Sequence, residues 1–313
     1  MDFALSPTHE MTRKMVREFA ERDIRPESRK YDESQEYPIA WARRMGELGL
    51  LGVAVPEKYG GAGLDSVCYA ITIEELSWGD ASAGVIAAVN NGLVCEPILA
   101  FGTEAQKQAY LPRLASGEWM GAYCLTEPGS GSDAAAMRTT AKLEGDDWVL
   151  NGTKIFVTNA LHANLLVVYA RTGAQKHDIS AFLVPKPLRG LTDLKKEDKM
   201  GIRASDTMML GFEDVRIPRE NLLGTQGKGF NIALATLDGG RIGIAAQALG
   251  IAQAAHDEAA RYAKEREAFG QPIVNFQAIQ FKIADMAMEI DAARLLTYRV
   301  AWLHDQGVRH TYE

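Results

Sequence analysis

The hydrophobic pattern divides the chain into three stretches, of which the first and last are helical. Up to residue 118 the apolar positions recur every three or four residues, as at Met11, Met15 and Phe19, which is the spacing of one helix face. The same spacing returns over residues 249–262 and 276–303. It predicts two long amphipathic helices, whose apolar faces need further bundle helices or other subunits to cover them.

The middle stretch, from residue 119 to 227, has the pattern of a sheet. Apolar runs at 165–169 and 179–184 predict strands. Because no helical segments alternate with them, an antiparallel sandwich or barrel is favoured over a parallel Rossmann sheet. Asn151-Gly152 lies between two β-rich runs and predicts a tight hairpin turn there. We therefore expect domains at 1–118, 119–227 and 228–313.

Local signals add detail to the helical parts. Ser6-Pro7 predicts the start of a helix, and the segment 103–106 (TEAQ) predicts a second start with a capping box. The neighbouring acids Glu74 and Glu75 are interpreted as an exposed helix face rather than as an acid/base pair.

Composition narrows the class of protein. The 313 residues are 47% hydrophobic and 24% charged, which is typical of globular chains and argues against wholesale disorder. A net charge of −7 disfavours nucleic-acid binding. The three cysteines contain no CxxC pair and the six histidines lack ligand spacing, so we expect neither disulfides nor a metal site. No signal sequence, transit peptide or membrane-spanning run is visible, which predicts a cytoplasmic protein.

Two segments of the middle stretch suggest ligand binding. The segment 121–133 (GAYCLTEPGSGSD) places small residues and hydroxyl donors after a strand, where a backbone can approach a phosphate or a heteroaromatic edge. The segment 154–159 (KIFVTN) puts Phe156 and Thr158 at a strand end, where they could flank a flat cofactor. A plain surface turn and a hairpin strand with a core phenylalanine are the alternatives.

Two further segments belong to the helical end of the chain. Asp238 and Arg241, in the sequence DGGR, could pair with an anionic ligand or be solvated charges. Arg266 and Phe269, followed by Gln277, could hold a phosphate and an adenine or simply form a helix end.

Taken together, these segments resemble the acyl-CoA dehydrogenase family. The resemblance runs from Leu5 to Glu313 and is carried by 121–133, by 151–154 (NGTK) and by 261–270 (RYAKEREAFG). The segments 55–61 (VPEKYGG) and 201–205 (GIRAS) also match. One such block is weak, but so many separated blocks do not agree by chance.

The resemblance implies an α+β multidomain fold, with a helical N-terminal domain, a β-barrel-like middle domain and a C-terminal helical bundle that is incomplete here. It implies FAD between barrel and bundle, near a subunit interface of a dimer or tetramer. The implied reaction is oxidation of an acyl-CoA thioester to the trans-2-enoyl-CoA, with electrons passed to an electron-transfer flavoprotein. Neither nucleic acid nor membrane insertion is implied.

The family's site residues carry over by position. Those implied to bind FAD are Tyr123, Leu125, Thr126, Gly131, Ser132, Phe156, Thr158, Arg266, Phe269 and Gln277. Those implied to contact the acyl-CoA are Ser132, Asp238 and Arg241. Phe156 stands where many relatives have tryptophan, which keeps an aromatic surface and loses an indole donor. Arg266, Phe269 and Gln277 are implied to reach the FAD of a neighbouring subunit.

The catalytic base is the open point of the resemblance. The family's glutamate usually lies in a segment beyond Glu313, and some relatives instead carry it at the position of Gly240. We therefore expect these 313 residues alone to be inactive, although the complete enzyme is a dehydrogenase. Segment 90–97 is similar to short-chain members, but chain-length preference stays open.

Two other functions remain compatible with the same segments. One is a different flavin chemistry on this scaffold, such as an acyl-CoA oxidase, a monooxygenase component or a nitroalkane-oxidising enzyme. The other is a structural subunit that binds flavin and CoA but has no base, which Gly240 favours.

Overall fold

The computed structural model describes residues 4–312. They form two compact units, each built from separate stretches of the chain. The helical unit comprises 4–28, Asp65–Val85 and 242–312, and the sheet unit comprises Arg29–Leu64 and Ile86–Arg241.

Helices occupy both ends of the chain, as the hydrophobic spacing predicts. They are α1 (Pro7–Phe19), α2 (Ser28–Ser34), α3 (Ile39–Glu47), α4 (Ser66–Gly79), α5 (Ala81–Ala88), α6 (Glu96–Phe101), α7 (Glu104–Ala115), α8 (Gly229–Glu265) and α9 (Gln277–Asp305). Ser6 caps α1 and Thr103 caps α7, each through a reciprocal pair of hydrogen bonds with the third helical residue. Both predicted helix starts are therefore confirmed.

A π-helical segment, Val89–Cys95, joins α5 to α6 and contacts the start of the first strand of the sheet. Inside the sheet unit the amide of Asn90 donates to the carbonyls of Leu51 (2.8 Å) and Leu114 (3.2 Å). Its oxygen accepts the N–H of Gly121 at 2.9 Å. The fully buried Asn90 thus fixes the point at which the first strand begins.

The run Ala81–Phe101 is also the helical stretch that meets the length and hydropathy of a membrane span among residues 4–312. It is longer than the apolar stretch visible in the sequence, because the π-helical segment continues the helix. In its most apolar window 67% of the residues are buried, which is typical of a core helix.

The middle of the chain forms one mixed sheet. Its strands are β1 (Gly121–Cys124), β2 (Thr140–Glu144), β3 (Asp147–Thr158), β4 (Leu165–Arg171), β5 (Ile179–Pro185), β6 (Leu191–Lys196), β7 (Thr207–Pro218) and β8 (Leu222–Leu223). The order is β6-β7-β3-β2-β4-β5-β8, and β1 pairs with β4. Most pairs are antiparallel, as predicted, but β4 runs parallel to β1 and β2. In the described pairings β6 and β8 are end strands, so the sheet does not close into a barrel.

Both faces of the sheet are buried, and β4 contributes to both. Leu165, Val167 and Tyr169 pack into a cluster with residues of the π-helical segment, α6 and α7. Leu166 and Val168 alternate with them and pack into a second cluster, among residues of β3, β5 and β7. Alternate side chains of a strand point to opposite faces, so a strand covered on both sides becomes a continuous apolar run.

The hairpin predicted at Asn151-Gly152 is wrong. The turn between β2 and β3 lies at Gly145-Asp146, and β3 continues through Asn151 and Gly152 to Thr158. The register with β7 shifts at this point, which marks a bulge. Gly152 is needed for a different reason: Thr139 approaches so closely that a Cβ would lie 2.4 Å from its Oγ1.

The interpretation of Glu74 and Glu75 as an exposed helix face is also wrong. Their side chains are only 4% and 3% exposed in the helical unit. Glu74 accepts from Arg294 Nε at 2.9 Å and from the Tyr298 hydroxyl at 2.6 Å. Glu75 pairs with Arg17, which opposes the upward pKa shift that burial imposes on this carboxyl. Basic partners distant in sequence therefore allow the burial of both acids.

Helices α8 and α9 leave an apolar groove between them within the helical unit. Most of its lining side chains are small. They are Ala245, Ala248, Leu249, Ala252, Ala255, Met286, Glu289, Ile290, Ala293 and Thr297.

Candidate functional site

The loop after β1 is folded onto itself. The N–H of Glu127 donates to the carbonyl of Ser130 at 2.9 Å, and the N–H of Ser130 donates back at 3.1 Å. The Ser130 hydroxyl donates to the carbonyl of Asp133 at 2.8 Å. Ser130 is buried by these contacts, whereas Gly131 and Ser132 stay exposed. The result is a fixed turn with an accessible outer surface.

A buried ion pair lies directly beneath this loop. The ammonium of Lys154 is 2.8 Å from Oε1 of Glu127 and donates to the carbonyl of Leu125 at 3.0 Å. The Lys154 side chain is completely buried, and the Glu127 side chain is 5% exposed. Burial alone would raise the pKa of Glu127, but Lys154 and the N–H groups of Arg138 and Thr139 lower it below its ordinary value. Glu127 is therefore a carboxylate.

The strand segment that carries Lys154 also presents Phe156. The N–H of Ile155 donates to the carbonyl of Thr126 at 2.9 Å, so this part of β3 lies alongside the loop. Phe156 has a φ of +57° and its side chain is 61% exposed. Thr158, at the end of β3, is half-buried. The structure therefore brings Leu125, Thr126 and Phe156 together.

The other predicted site residues of the sheet unit lie in β1, which carries Tyr123, and on α8, which carries Asp238 and Arg241. Tyr123 is half-buried in β1, with its ring 5.1 Å from that of Tyr169. Asp238 and Arg241 lie on α8 and bind each other, since Arg241 Nη1 donates to Asp238 Oδ1 at 2.9 Å. Arg241 is exposed, so its guanidinium can also reach a ligand.

Two glycines between Asp238 and Arg241 allow close packing of α8. A Cβ on Gly239 would lie 2.5 Å from Oε1 of Glu96, and one on Gly240 would lie 2.8 Å from Cδ2 of Leu93. Burial raises the pKa of Glu96 to about 7. A carboxyl group therefore lies beside the α8 segment on which the sequence placed substrate contacts.

Arg266, Phe269 and Gln277 belong to the helical unit. Phe269 follows the short strand β9 (Glu267–Ala268), which pairs with β10 (Gln271–Pro272). It has a φ of +53° and its side chain is 96% exposed. Arg266 and Gln277 are exposed as well, and Gln277 is the first residue of α9. All three are accessible to a ligand or a second chain.

Comparison with known proteins identifies the family. Profiles of the acyl-CoA dehydrogenase N-terminal, middle and C-terminal domains match residues 6–118, 122–215 and 227–313. The chain belongs to the acyl-CoA dehydrogenase family. It is 54% identical over 311 residues to the mitochondrial short-chain specific acyl-CoA dehydrogenase of Bos taurus, covering 99% of this chain and 76% of the relative.

Solved structures agree with this assignment to the acyl-CoA dehydrogenases. The butyryl-CoA dehydrogenase of Megasphaera elsdenii has a TM-score of 0.97 at 44% identity, covering 99% of this chain and 83% of that one. A chain in a solved structure described as the electron transferring flavoprotein of Acidaminococcus fermentans has a TM-score of 0.98 at 48% identity, covering 99% of this chain and 82% of that one. An acyl-CoA dehydrogenase complexed with FAD from Bacillus anthracis has a TM-score of 0.91 at 42% identity, covering 96% of this chain and 51% of that one.

The loop of this acyl-CoA dehydrogenase fits a flavin nucleotide. A Cβ added at Gly129 or Gly131 would meet no heavy atom within 4 Å, so the outer side of the loop is open. Ser132 contributes a hydroxyl at the loop, Thr158 contributes one at the end of β3, and Phe156 offers an exposed ring. Hydrogen-bond donors beside an accessible aromatic face suit a ring system with polar edges and a phosphate tail.

Two features of this dehydrogenase went beyond the sequence prediction. Lys154 and Glu127 were part of the matching segments, but nothing in the sequence indicated that they form a buried pair. The sequence shows only that Lys154 directly precedes the apolar run 155–157. Glu96 gave no signal at all, because Gly239, which it packs against, is far away in sequence.

His9, Asp65 and Cys68 also lie close together, with ligand atoms within 4.8 Å of one another. Nδ1 of His9 accepts the N–H of Ser6, so Nε2 carries the proton and donates to Asp65 at 2.8 Å. Burial raises the pKa of the Cys68 thiol to about 11. A protonated thiol and an occupied imidazole make these three residues a helix-capping arrangement of the dehydrogenase.

Proposed function

We propose that this protein is an FAD-dependent short-chain acyl-CoA dehydrogenase that oxidises acyl-CoA thioesters to trans-2-enoyl-CoA. The observation that carries the proposal is the loop 126–133, fixed beside the exposed ring of Phe156 with open space around its glycines. The sequence similarity to short-chain and butyryl-CoA dehydrogenases supports the choice of substrate. Electrons then pass to an electron-transfer flavoprotein.

FAD supplies the acceptor for the hydride that leaves the β-carbon of the substrate. On the protein side, Phe156 would lie against the ring system, and Thr158 and Ser132 would donate hydrogen bonds to its polar edge and to the phosphates. Tyr123, Leu125, Thr126 and Gly131 would complete this side of the cofactor site. Arg266, Phe269 and Gln277 would bind the FAD of a second subunit in a homo-oligomer.

Removal of the α-proton is the chemically harder step for the protein's own residues. A thioester α-proton is too weakly acidic for a carboxylate in water, so the site must polarise the carbonyl and exclude water. Desolvation also raises the pKa of a carboxylate base and strengthens it. Asp238 and Arg241, which bind each other on α8, would hold the CoA portion together with Ser132.

We assign the base to a residue other than Gly240, which has no side chain to carry a proton. Loss of this base should lower butyryl-CoA turnover roughly 10²–10⁴-fold, the range expected for a general base.

The test is purification of the complete protein, followed by measurement of bound FAD and of butyryl-CoA turnover with a dye acceptor. Enoyl-CoA formation with stoichiometric FAD supports the proposal, and a protein that cannot bind FAD contradicts it. Rapid reoxidation of the reduced flavin by oxygen would indicate an oxidase or monooxygenase instead. Binding of FAD and acyl-CoA without flavin reduction would indicate a structural subunit.

We propose a cellular location by analogy with bacterial and mitochondrial relatives. A cytoplasmic location fits a bacterial source, and the mitochondrial matrix fits a eukaryotic one. Fractionation with an antibody against the protein tests either.

A further inference from the structure

We propose that Lys154 and Glu127 are positioning residues of the flavin site, which hold the loop 126–132 in its binding shape without touching the cofactor. This inference rests on the proposed function, because it concerns the same loop. It goes further in assigning the loop's geometry to one buried ion pair.

The position of Lys154 is the first argument. Its ammonium contacts the two residues that flank Thr126, namely the carbonyl of Leu125 at 3.0 Å and the carboxylate of Glu127 at 2.8 Å. The next residue of β3, Ile155, binds the carbonyl of Thr126 itself at 2.9 Å. Three consecutive loop residues are therefore held by two consecutive strand residues.

The contacts of Glu127 are the second argument. Besides Lys154, its carboxylate accepts the N–H of Arg138 and, at 3.0 Å, that of Thr139. Its own backbone exchanges two hydrogen bonds with Ser130. One side chain thus joins the start of the loop, the chain after the loop and the strand beneath, so Gly131 and Ser132 project from an anchored base.

Burial makes the pair strongly interdependent. Lys154 is completely buried, and a buried charge that loses its partner is far more costly than an exposed one. If either side chain is truncated, the other is left buried without its partner. Both side chains contact loop residues directly, so we expect the loop to change shape before the rest of the sheet does.

A purely structural role is the competing explanation, and Lys186 provides a matched control for it. Its ammonium also joins a backbone carbonyl, that of Ala160 at 2.7 Å, to a carboxylate, that of Asp193 at 2.7 Å. The Lys186 side chain is only 13% exposed and lies in the same unit, but its contacts do not involve the loop. Lys186→Met therefore removes similar bonds elsewhere.

The experiment compares Lys154→Met, Glu127→Gln and Lys186→Met in the complete protein. Apoprotein is titrated with FAD by flavin fluorescence, its melting temperature is measured separately, and the visible spectrum of the bound flavin is recorded. We expect both loop variants to bind FAD roughly 10- to 100-fold more weakly, by analogy with metal sites, where removal of a residue that supports a ligand weakens binding by this factor. Their flavin spectra should also shift, whereas Lys186→Met should lower only the melting temperature.

The double variant Glu127→Gln with Lys154→Met separates a pair from two independent groups. We expect the double variant to bind FAD no more weakly than the single variant with the lower FAD affinity, because removal of both charges leaves neither unpaired. If Lys154→Met does not fold, Glu127→Gln and the double variant decide the question by the same measurement.

Wild-type FAD affinity in the folded loop variants, or an equal loss in Lys186→Met, would overturn the inference. Those outcomes leave the proposed function intact, because they concern variants of a protein that binds FAD. Failure of the unaltered protein to bind FAD would instead contradict the proposed function itself.

Discussion

The carboxylate of Glu96 lies against the α-carbon of Gly239, at a place where even a methyl group would collide with it. A Cβ on Gly239 would be 2.5 and 2.6 Å from the two carboxylate oxygens. Helix α6 therefore contributes an acid to the α8 turn that carries Asp238 and Arg241. This contact fixes the spacing of the two helices and places an ionisable group beside the proposed acyl-CoA contacts.

Gly239→Ala should destabilise the protein by about 1–3 kcal/mol, because the added methyl overpacks the contact with Glu96. Urea denaturation measures the change. In a Glu96→Ala background the same substitution should cost much less, since the colliding carboxylate is gone. Equal costs in the two backgrounds would mean that some other neighbour opposes the methyl group.

Glu96 should make stability depend on pH in an unusual direction. Burial raises its pKa from 4.5 to about 7, so the folded state holds this proton where the unfolded state has lost it. Its stabilising contribution is complete below pH 4.5 and falls as pH rises through about 7, at up to ~1.4 kcal/mol per pH unit. Glu96→Gln should remove this slope from urea denaturation curves, whereas Glu213→Gln, at an exposed position, should keep it.

Phe156 should affect cofactor binding without affecting stability. Its side chain is 61% exposed, so Phe156→Ala should change the free energy of unfolding of the apoprotein by less than about 0.5 kcal/mol. FAD should bind more weakly to this variant, by roughly 1 kcal/mol, because an aromatic contact is lost. Phe156→Trp should bind FAD at least as tightly as the unaltered protein. Titration and melting experiments on the same samples compare the two effects, and an alanine variant with undiminished affinity would exclude the ring from the site.

The buried acids of α4 should be costly to leave unpaired. Arg294 donates to Glu74 from a side chain that is 19% exposed, against 4% for its partner. Arg294→Met should destabilise the protein by about 3–5 kcal/mol, and addition of Glu74→Gln should recover part of this. Arg261→Met, which removes exposed ion pairs on α8, should cost far less. Comparable losses in both arginine variants would show that burial of the pair contributes little.

Much of the fold could be predicted because its signals are local. The helix starts at Ser6 and Thr103 depend on residues three positions apart, and the β4 run reports burial on two faces. The order of the strands, and the parallel pairing of β4 with β1, depend on contacts between distant segments and have no local signal.

The errors have the same physical origin. Asn151-Gly152 has the composition of a tight turn, but Gly152 is there for the approach of Thr139, and the amide of Asn151 pairs across the bulge with Asp214. Glu74 and Glu75 are polar on a helix whose residues are all buried, because their partners come from other helices. The site was predictable as a set of motifs, whereas the buried pair that supports it was not.

The two-sided burial of β4 also restricts where this chain can change its length. One residue inserted between Leu165 and Arg171 would send every later side chain to the opposite face, so Tyr169 and Ala170 would exchange environments. An insertion in the connection 172–178 has no such effect, because most of those residues are exposed and the strands on either side keep their register. Evolution can therefore lengthen this connection, while the strand itself can change only by substitution.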